Sequence, residues 1–181
     1  MRPDEDLDPG DRGQLDRFNV LTADACVERL LACCSSPTWA RRVAEERPFA
    51  DPQELLDRAD ELLVELTETD IDQALAGHPR IGDRPDNASS AREQSGVSGA
   101  DAAVIEELKK YNASYEDKFG HVYLVFANGR PADVLLGILK ERMDNDPVTE
   151  RRVLRGELAK INRSRLIRML MTPDTDEGAS A

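Results

Sequence analysis

The sequence has 181 residues, a net charge of −12 and 40% apolar residues. This length falls within the range of one compact domain. The negative charge would repel a phosphate backbone, and no stripe of Lys and Arg interleaved with aromatic residues offsets it, so we expect no nucleic-acid partner. No apolar run approaches the roughly 20 residues of a membrane span, so we expect no membrane partner either.

Both ends of the chain are polar and rich in small or acidic residues. The composition predicts disorder over residues 1–16 and 172–181 and one folded domain over residues 17–171. The N-terminal stretch matches neither a secretory signal nor an Arg-rich transit peptide, and the last residues do not match a peroxisomal address. We therefore expect a cytoplasmic protein.

Apolar residues recur at helical spacing through the middle of the chain. Thr22 precedes a helix predicted near 23–34. Ser36-Pro37 and Asp51-Pro52 place a capping side chain before a proline, which is a start signal for helices near 37–46 and 52–66. Further helices are predicted from the cap Asp70 to Gly77, from the cap Ser90, from the cap Ser98 to Phe119, from Pro131 to Met143 and from Pro147 to Met171.

One run, from His121 to Ala127, is rich in β-branched and aromatic residues and by itself predicts a strand. A single strand has no partner in a chain whose other segments are helical. We therefore predict an all-α fold, built as a single compact multi-helix domain.

Cys26, Cys33 and Cys34 lie within one helical pattern, a poor layout for a disulfide framework or a zinc site. We expect them to be reduced and mostly buried. The sequence has no HExxH, no close pair of histidines, no nucleotide-binding glycine motif and no GxSxG, so we predict no metal site, nucleotide site or serine nucleophile. Any chemistry would use acid and base side chains.

The chain has two histidines, and His78 is the better candidate for proton transfer. It lies in HPRIGD at a helix-to-loop junction, where Gly77 and Pro79 constrain the backbone, and reactive groups concentrate on such loops. A surface histidine without a function is the alternative. His121, beside the apolar run, is more typical of a packed or capping residue.

Glu93 follows Ser90 at capping-box spacing, so it is either a helix cap or a functional carboxylate. A carboxylate beside an imidazole would raise its basicity and hold its orientation. Gln94 offers a donor and an acceptor suited to a urea-like group. Arg165 shares a helical stripe with core residues, so its charge requires either a protein carboxylate or a ligand carboxylate as partner.

Several segments together resemble the decarboxylase family that acts on 2-oxo-4-hydroxy-4-carboxy-5-ureidoimidazoline (OHCU). They are FN, LLACCSSPTWA, RPF, HPRIGD, SAREQSG, YEDKFGHVYLVFANGR, ERMDNDPVTE and LAKINRSRL. The resemblance covers about residues 18–170. It implies an all-α homodimer that converts OHCU to (S)-allantoin and CO2 in urate degradation, without cofactor or metal.

The resemblance also implies roles for individual residues. His78 is similar to the catalytic proton donor, with Glu93 beside it, and Pro79 to the residue that shapes the pocket. The stretch with Ser90 and Gln94 is similar to the substrate-binding segment, and Arg165 to the arginine of the family's LRL motif. The segment whose backbone lines the ligand corresponds to Tyr123, Leu124, Val125, Phe126 and Ala127.

That last segment departs from the usual FxxCA, because Tyr123 and Phe126 replace the Phe and the Cys. If its backbone contacts the ligand, we expect the exchange to be tolerated. Two other functions stay open at this point. One is a non-catalytic helical interaction module, and the other is a hydrolase that acts on a neighbouring ring compound of purine breakdown.

Overall fold

The computed structural model describes residues 10–85 and 87–172, with side chains from residue 12 onwards. These residues form helices and connecting loops without a strand, as predicted. Contacts divide the described residues into two compact units, one within residues 10–65 and 162–172 and the other within residues 66–161. None of the described helices is both long and apolar enough to cross a lipid bilayer.

In the first unit, α2 packs on α3, α3 on α4 and α1 on α4. The predicted caps Thr22, Ser36 and Asp51 each accept a hydrogen bond from a main-chain N–H in the first turn. Trp39 is fully buried and donates its indole N–H to the carbonyl of Ala59 at 2.9 Å. The helices of this unit are α1 (Gly10–Val20), α2 (Ala23–Cys33), α3 (Pro37–Glu45), α4 (Pro52–Val64) and the end of α9 (Pro147–Met171).

Two polar side chains hold the end of α1 against the loop after α3. Arg47 donates to the carbonyls of Phe18 and Leu21, both at 2.9 Å. The Asn19 amide pairs with both main-chain groups of Phe49, at 2.9 and 3.0 Å. The segments FN and RPF, about 30 residues apart in sequence, are therefore in direct contact.

The prediction of disorder was wrong for residues 10–16, because α1 begins at Gly10. Leu15 and Phe18 are three residues apart on one face of this helix and are both buried. Burial of that face stabilises the helix, which the polar and acidic composition of residues 1–16 did not predict. Residues 1–9 and 173–181, also predicted to be disordered, lie outside the described residues, and the single domain over 17–171 stays a prediction.

In the second unit, α7 packs on α8 around an apolar core. The core includes Leu108, Tyr115, Tyr123, Leu135 and Leu139. The unit consists of α5 (Glu68–Ala76), α6 (Ala88–Glu93), a short 3-10 helix (Ser95–Val97), α7 (Ala102–Phe119), α8 (Ala132–Arg142) and the beginning of α9.

Three predicted caps were wrong, each because another polar side chain lies three residues earlier or later. Thr67 caps α5, and Asp70 is the third helical residue of a capping box. Asn87, three residues before Ser90, caps α6. Asp101, three residues after Ser98, caps α7. Helix type follows from the apolar period, whereas the choice among neighbouring caps depends on tertiary contacts.

A buried ion pair lies between α8 and α9. Arg142 donates through Nε to Glu150 at 2.8 Å, and the two side chains are only 7% and 0% exposed. The hydroxyl of Tyr115 and the amide of Asn145 also donate to Glu150, and the guanidinium lies 4.9 Å from the ring centre of Tyr123. Several donors therefore satisfy a carboxylate that is buried in the protein.

Arg142→Ala should destabilise the protein by about 3–5 kcal/mol, because the Glu150 carboxylate would stay buried without its cation. Urea unfolding followed by far-UV circular dichroism measures this change. The matched control is Arg152→Ala, which removes an exposed arginine from the same helix as Glu150. Equal midpoints for the two variants would contradict the assigned role of the ion pair.

The three cysteines are free and buried, as predicted. Burial raises the pKa of Cys26 and Cys34, and it raises the pKa of Cys33 to about 12. Because the thiolate is the reactive form, the native protein should not react with Ellman's reagent at pH 8, whereas all three thiols should react in urea. Rapid labelling of native protein would contradict this prediction.

Candidate functional site

His78 lies just after α5. Gly77 ends that helix, and the main-chain N–H of His78 donates to the carbonyl of Leu75 at 3.0 Å. The side chain is half-buried and lines an open cavity of about 790 Å³. The wall of this cavity also carries Asp72, Arg80, Glu116, Asp117 and His121.

His121 is half-buried among aromatic rings, in agreement with the prediction of a packed residue. Its ring lies edge-on to Tyr115 at 5.6 Å and stacks on Phe119 at 6.1 Å. Its Nδ1 lies 3.2 Å from the carbonyl of Val122. Both histidines thus border the same cavity, and the ring of His121 packs against its neighbours on α7.

Polar side chains of α7 hold the HPRIGD loop. The amide of Asn112 donates to the carbonyl of Ile81 at 2.9 Å. Arg80 makes two hydrogen bonds to Glu116, at 2.5 and 2.7 Å, which raise the pKa of the guanidinium. The loop therefore has a defined course although it contains no regular structure.

Gln94 joins the same loop to the end of α6. Its Oε1 accepts from the N–H of Gly82 at 3.1 Å, and its Nε2 donates to the carbonyl of Arg80 at 3.3 Å. The side chain is buried and lines a second cavity of about 450 Å³ together with Gly82 and Val97. One N–H and one lone pair of the amide are used in these bonds, and the other two are left for further contacts.

Glu93 is the last residue of α6, and its side chain is half-buried. The interpretation of Glu93 as a helix cap was wrong, because Asn87 caps the helix by accepting from the N–H of Ser90 at 2.8 Å. Ser90 is buried inside the helix, and no described residue makes a hydrogen bond to its hydroxyl. A ligand could use this hydroxyl without displacing a protein contact.

The end of α6 also packs directly against the turn that follows the apolar run. Asn128 and Gly129 have φ of 45° and 69°, and Arg130 N–H closes the turn on the carbonyl of Ala127 at 2.8 Å, as in a type I′ turn. Gly129 N–H donates to the carbonyl of Glu93 at 2.9 Å. A Cβ on Gly96 would lie 2.2 Å from the carbonyl oxygen of Gly129, so this contact requires glycine.

The apolar run is a loop and not a strand. Side chains of α8 and α9 make hydrogen bonds to its main chain, which in a sheet a neighbouring strand would make. Arg142 donates to the carbonyl of Leu124 at 2.6 Å, and the N–H of Phe126 donates to Glu157 at 2.7 Å. Within the run, residues 123–125 and Ala127 are buried, whereas His121, Val122 and Phe126 are half-exposed. Among the described residues, none makes a hydrogen bond to the main chain of the buried Val125.

Arg165 belongs to the first unit. It is buried on the core face of α9, as its position on the apolar stripe predicted, and it donates to the carbonyl of Cys33 at 3.3 Å. The second unit brings the other predicted segments together, because HPRIGD and the turn after the apolar run each bond to the end of α6. Among residues 10–85 and 87–172, no cluster of three or more His, Cys, Asp or Glu could hold a metal ion.

The sequence prediction missed three residues that hold these segments, namely Asn112, Arg142 and Glu157. A signal for the first was present, because Asn112 lies between Leu108 and Tyr115 on the buried stripe of α7. Arg142 carried the same signal, because it follows Leu135 and Leu139 at helical spacing on the buried stripe of α8. This pattern predicts burial but not the main-chain partners in distant loops.

Comparison with known proteins gives the same family as the sequence motifs. The family model described as OHCU decarboxylase matches residues 19–167. The bifunctional uric acid degradation protein TTL of Arabidopsis thaliana is 29% identical over 82% of this chain, and this chain spans half of its length. The OHCU decarboxylase of Amia calva is 26% identical, over 77% of this chain and 83% of its own.

A solved structure also matches. The crystal structure of an OHCU decarboxylase in the presence of (S)-allantoin has a TM-score of 0.71 and 27% sequence identity, and it covers 78% of this chain and 96% of its own. Because the family model matches more than half of the sequence, this chain belongs to the OHCU decarboxylase family.

Proposed function

We propose that this chain decarboxylates OHCU to (S)-allantoin and CO2 in urate degradation. The observation that carries the proposal is the bonding of two segments to the end of α6: Gln94 binds the HPRIGD loop, and the main chain of Glu93 binds the turn after the apolar run. HPRIGD, the SAREQ segment and the turn after the apolar run are thus joined in one unit.

The reaction needs an acceptor for the electron pair that the departing CO2 leaves behind. In OHCU this acceptor is the C=N bond next to the carboxylated carbon, so a chain without a cofactor can support the chemistry. The pair of the broken C–C bond forms a ring C=C bond, and the C=N pair moves to nitrogen, which takes a proton. The hydroxyl then loses its proton as the carbonyl forms, and C5 receives a proton.

We assign the delivery of the C5 proton to His78, with Glu93 orienting it and engaging the substrate hydroxyl. Delivery from one face would give the (S) product. Pro79 would shape the wall beside the imidazole. The proposed binding groups are the hydroxyl of Ser90, the remaining amide positions of Gln94, the main chain of residues 123–127 and, for the substrate carboxylate, Arg165.

We further propose that the protein acts without a cofactor, as a homodimer and in the cytoplasm. The family resemblance supports the first two features, and the third is the expectation stated from the sequence. Size-exclusion chromatography with light scattering tests the dimer.

Fresh OHCU, generated from urate and mixed with purified protein, tests the activity itself. Faster CO2 release with accumulation of (S)-allantoin supports decarboxylation. Ring opening without CO2 release would favour a hydrolase, and an unchanged rate of spontaneous decay would favour a non-catalytic interaction module.

His78→Ala and Glu93→Ala should fold normally and lose stereospecific product formation. General acid and base steps typically contribute about 10²- to 10⁴-fold, and loss of one-sided protonation leaves racemic product. Circular dichroism of fresh reaction mixtures measures the (S) excess.

Two matched variants complete this test. His121→Phe keeps an aromatic ring between its neighbours, and Arg92→Ala removes an exposed side chain next to Glu93. Both should retain the (S) product. Full activity of His78→Ala together with loss of activity in His121→Phe would show that His121, and not His78, delivers the proton.

Phe126→Cys should leave KM for OHCU within about twofold of the parent value. The ligand is expected to contact the main chain of this segment, so the exchange of the side chain should not change substrate binding. The half-exposed position of the Phe126 side chain supports this expectation. Steady-state kinetics measures it, and a large rise or fall in KM would show that the side chain forms part of the pocket.

A further inference from the structure

We infer that Glu157 is a positioning residue for substrate binding, because it orients the peptide between Val125 and Phe126 so that the carbonyl of Val125 faces the ligand. Arg142 orients the preceding peptide in the same way. This inference rests on the proposed function, in which the main chain of residues 123–127 binds the substrate.

The two contacts lie on either side of Val125. The N–H of Phe126 donates to Glu157 at 2.7 Å, and Arg142 donates to the carbonyl of Leu124 at 2.6 Å. The two peptide groups between Leu124 and Phe126 lie in the second unit, as do both side chains. Each of the two peptides that flank Val125 is therefore held at one of its polar groups.

Peptide geometry fixes the direction of the opposite polar group. Both peptide bonds at Val125 are trans. In a trans peptide the C=O and the N–H point in opposite directions. The carbonyl of Val125 thus points away from Glu157, and its N–H points away from Arg142.

These two groups form a donor and an acceptor on one buried residue. Val125 is 4% exposed, and no described residue makes a hydrogen bond to its main chain. A buried main-chain group without a partner costs about 1–3 kcal/mol, so an incoming ligand with complementary groups would be favoured. A ureido or cyclic amide group, with N–H beside C=O, has that chemistry.

The charge of Glu157 suits this task. Burial raises the pKa of its carboxyl. Hydrogen bonds from Lys160 and from the N–H of Phe126 lower the pKa, and together with nearby positive charge they outweigh burial, so the pKa lies below the ordinary value. The carboxylate therefore stays ionised at neutral pH and can only accept. It cannot turn to donate to a carbonyl, which would reverse the peptide.

Glu157→Ala tests the inference by steady-state kinetics with fresh OHCU. Loss of a hydrogen bond to a charged group corresponds to about a tenfold change in equilibrium, so KM should rise about tenfold while kcat changes less than about threefold. Thermal unfolding of each variant provides the check that it is folded.

Two variants separate positioning from a structural role. Glu157→Gln keeps an oxygen that accepts from Phe126 and should restore KM to within about threefold of the parent value. Lys160→Met removes the exposed partner of Glu157, which lies 2.6 Å from it, but leaves the bond to Phe126 intact and should behave like the parent protein. If Glu157→Ala does not fold, Glu157→Met replaces it, because it keeps the volume of the side chain but offers Phe126 no carboxylate acceptor, and the same rise in KM is expected.

The possible outcomes differ for the two proposals. A parent protein that does not act on OHCU overturns the proposed function. An active parent protein with unchanged KM in Glu157→Ala overturns the positioning role alone. Equal loss in Glu157→Ala and Glu157→Gln, or a kcat loss without a change in KM, also contradicts positioning through the peptide.

Discussion

The ion pair of Arg142 and Glu150 is the interaction on which the second unit depends. It connects α8 to α9, accepts the hydroxyl of Tyr115 from α7 and, through the same guanidinium, holds the carbonyl of Leu124. A buried pair of this kind adds little net stability compared with an apolar core. A conformation that separates the two charges is nevertheless higher in free energy, because one charge would stay buried without a partner. It therefore restricts the course of the apolar segment more than it adds to stability.

The other irregular segments of the candidate site are also held by hydrogen bonds from side chains to the main chain. Buried main chain outside helices needs hydrogen-bond partners, and here side chains supply them. Asn112 binds Ile81, Gln94 binds Arg80 and Gly82, and Glu157 binds Phe126. The loops are thus held from a helical scaffold, which lets them present polar groups at defined positions without a sheet.

The sequence predicted the helices well, because apolar period and proline-preceded caps act locally, as at Ser36 and Asp51. It placed the start of α6 wrongly, since both Asn87 and Ser90 are competent caps and local pattern does not choose between them. The grouping of HPRIGD, SAREQSG and the apolar run could be expected from family resemblance alone. The bonds that join them link residues 12 to 36 positions apart in sequence, and the apolar period does not predict such contacts.

The close approach at Gly96 has a consequence for sequence variation in this family. The turn at Gly129 is attached to α6 through backbone atoms, and the neighbouring peptides are held by Arg142 and Glu157. None of these attachments uses a side chain of residues 123–127. Phe126, whose side chain is half-exposed, can therefore change in size without moving the main chain. Tyr123, Leu124, Val125 and Ala127 are buried, so their volumes stay limited by the core around them.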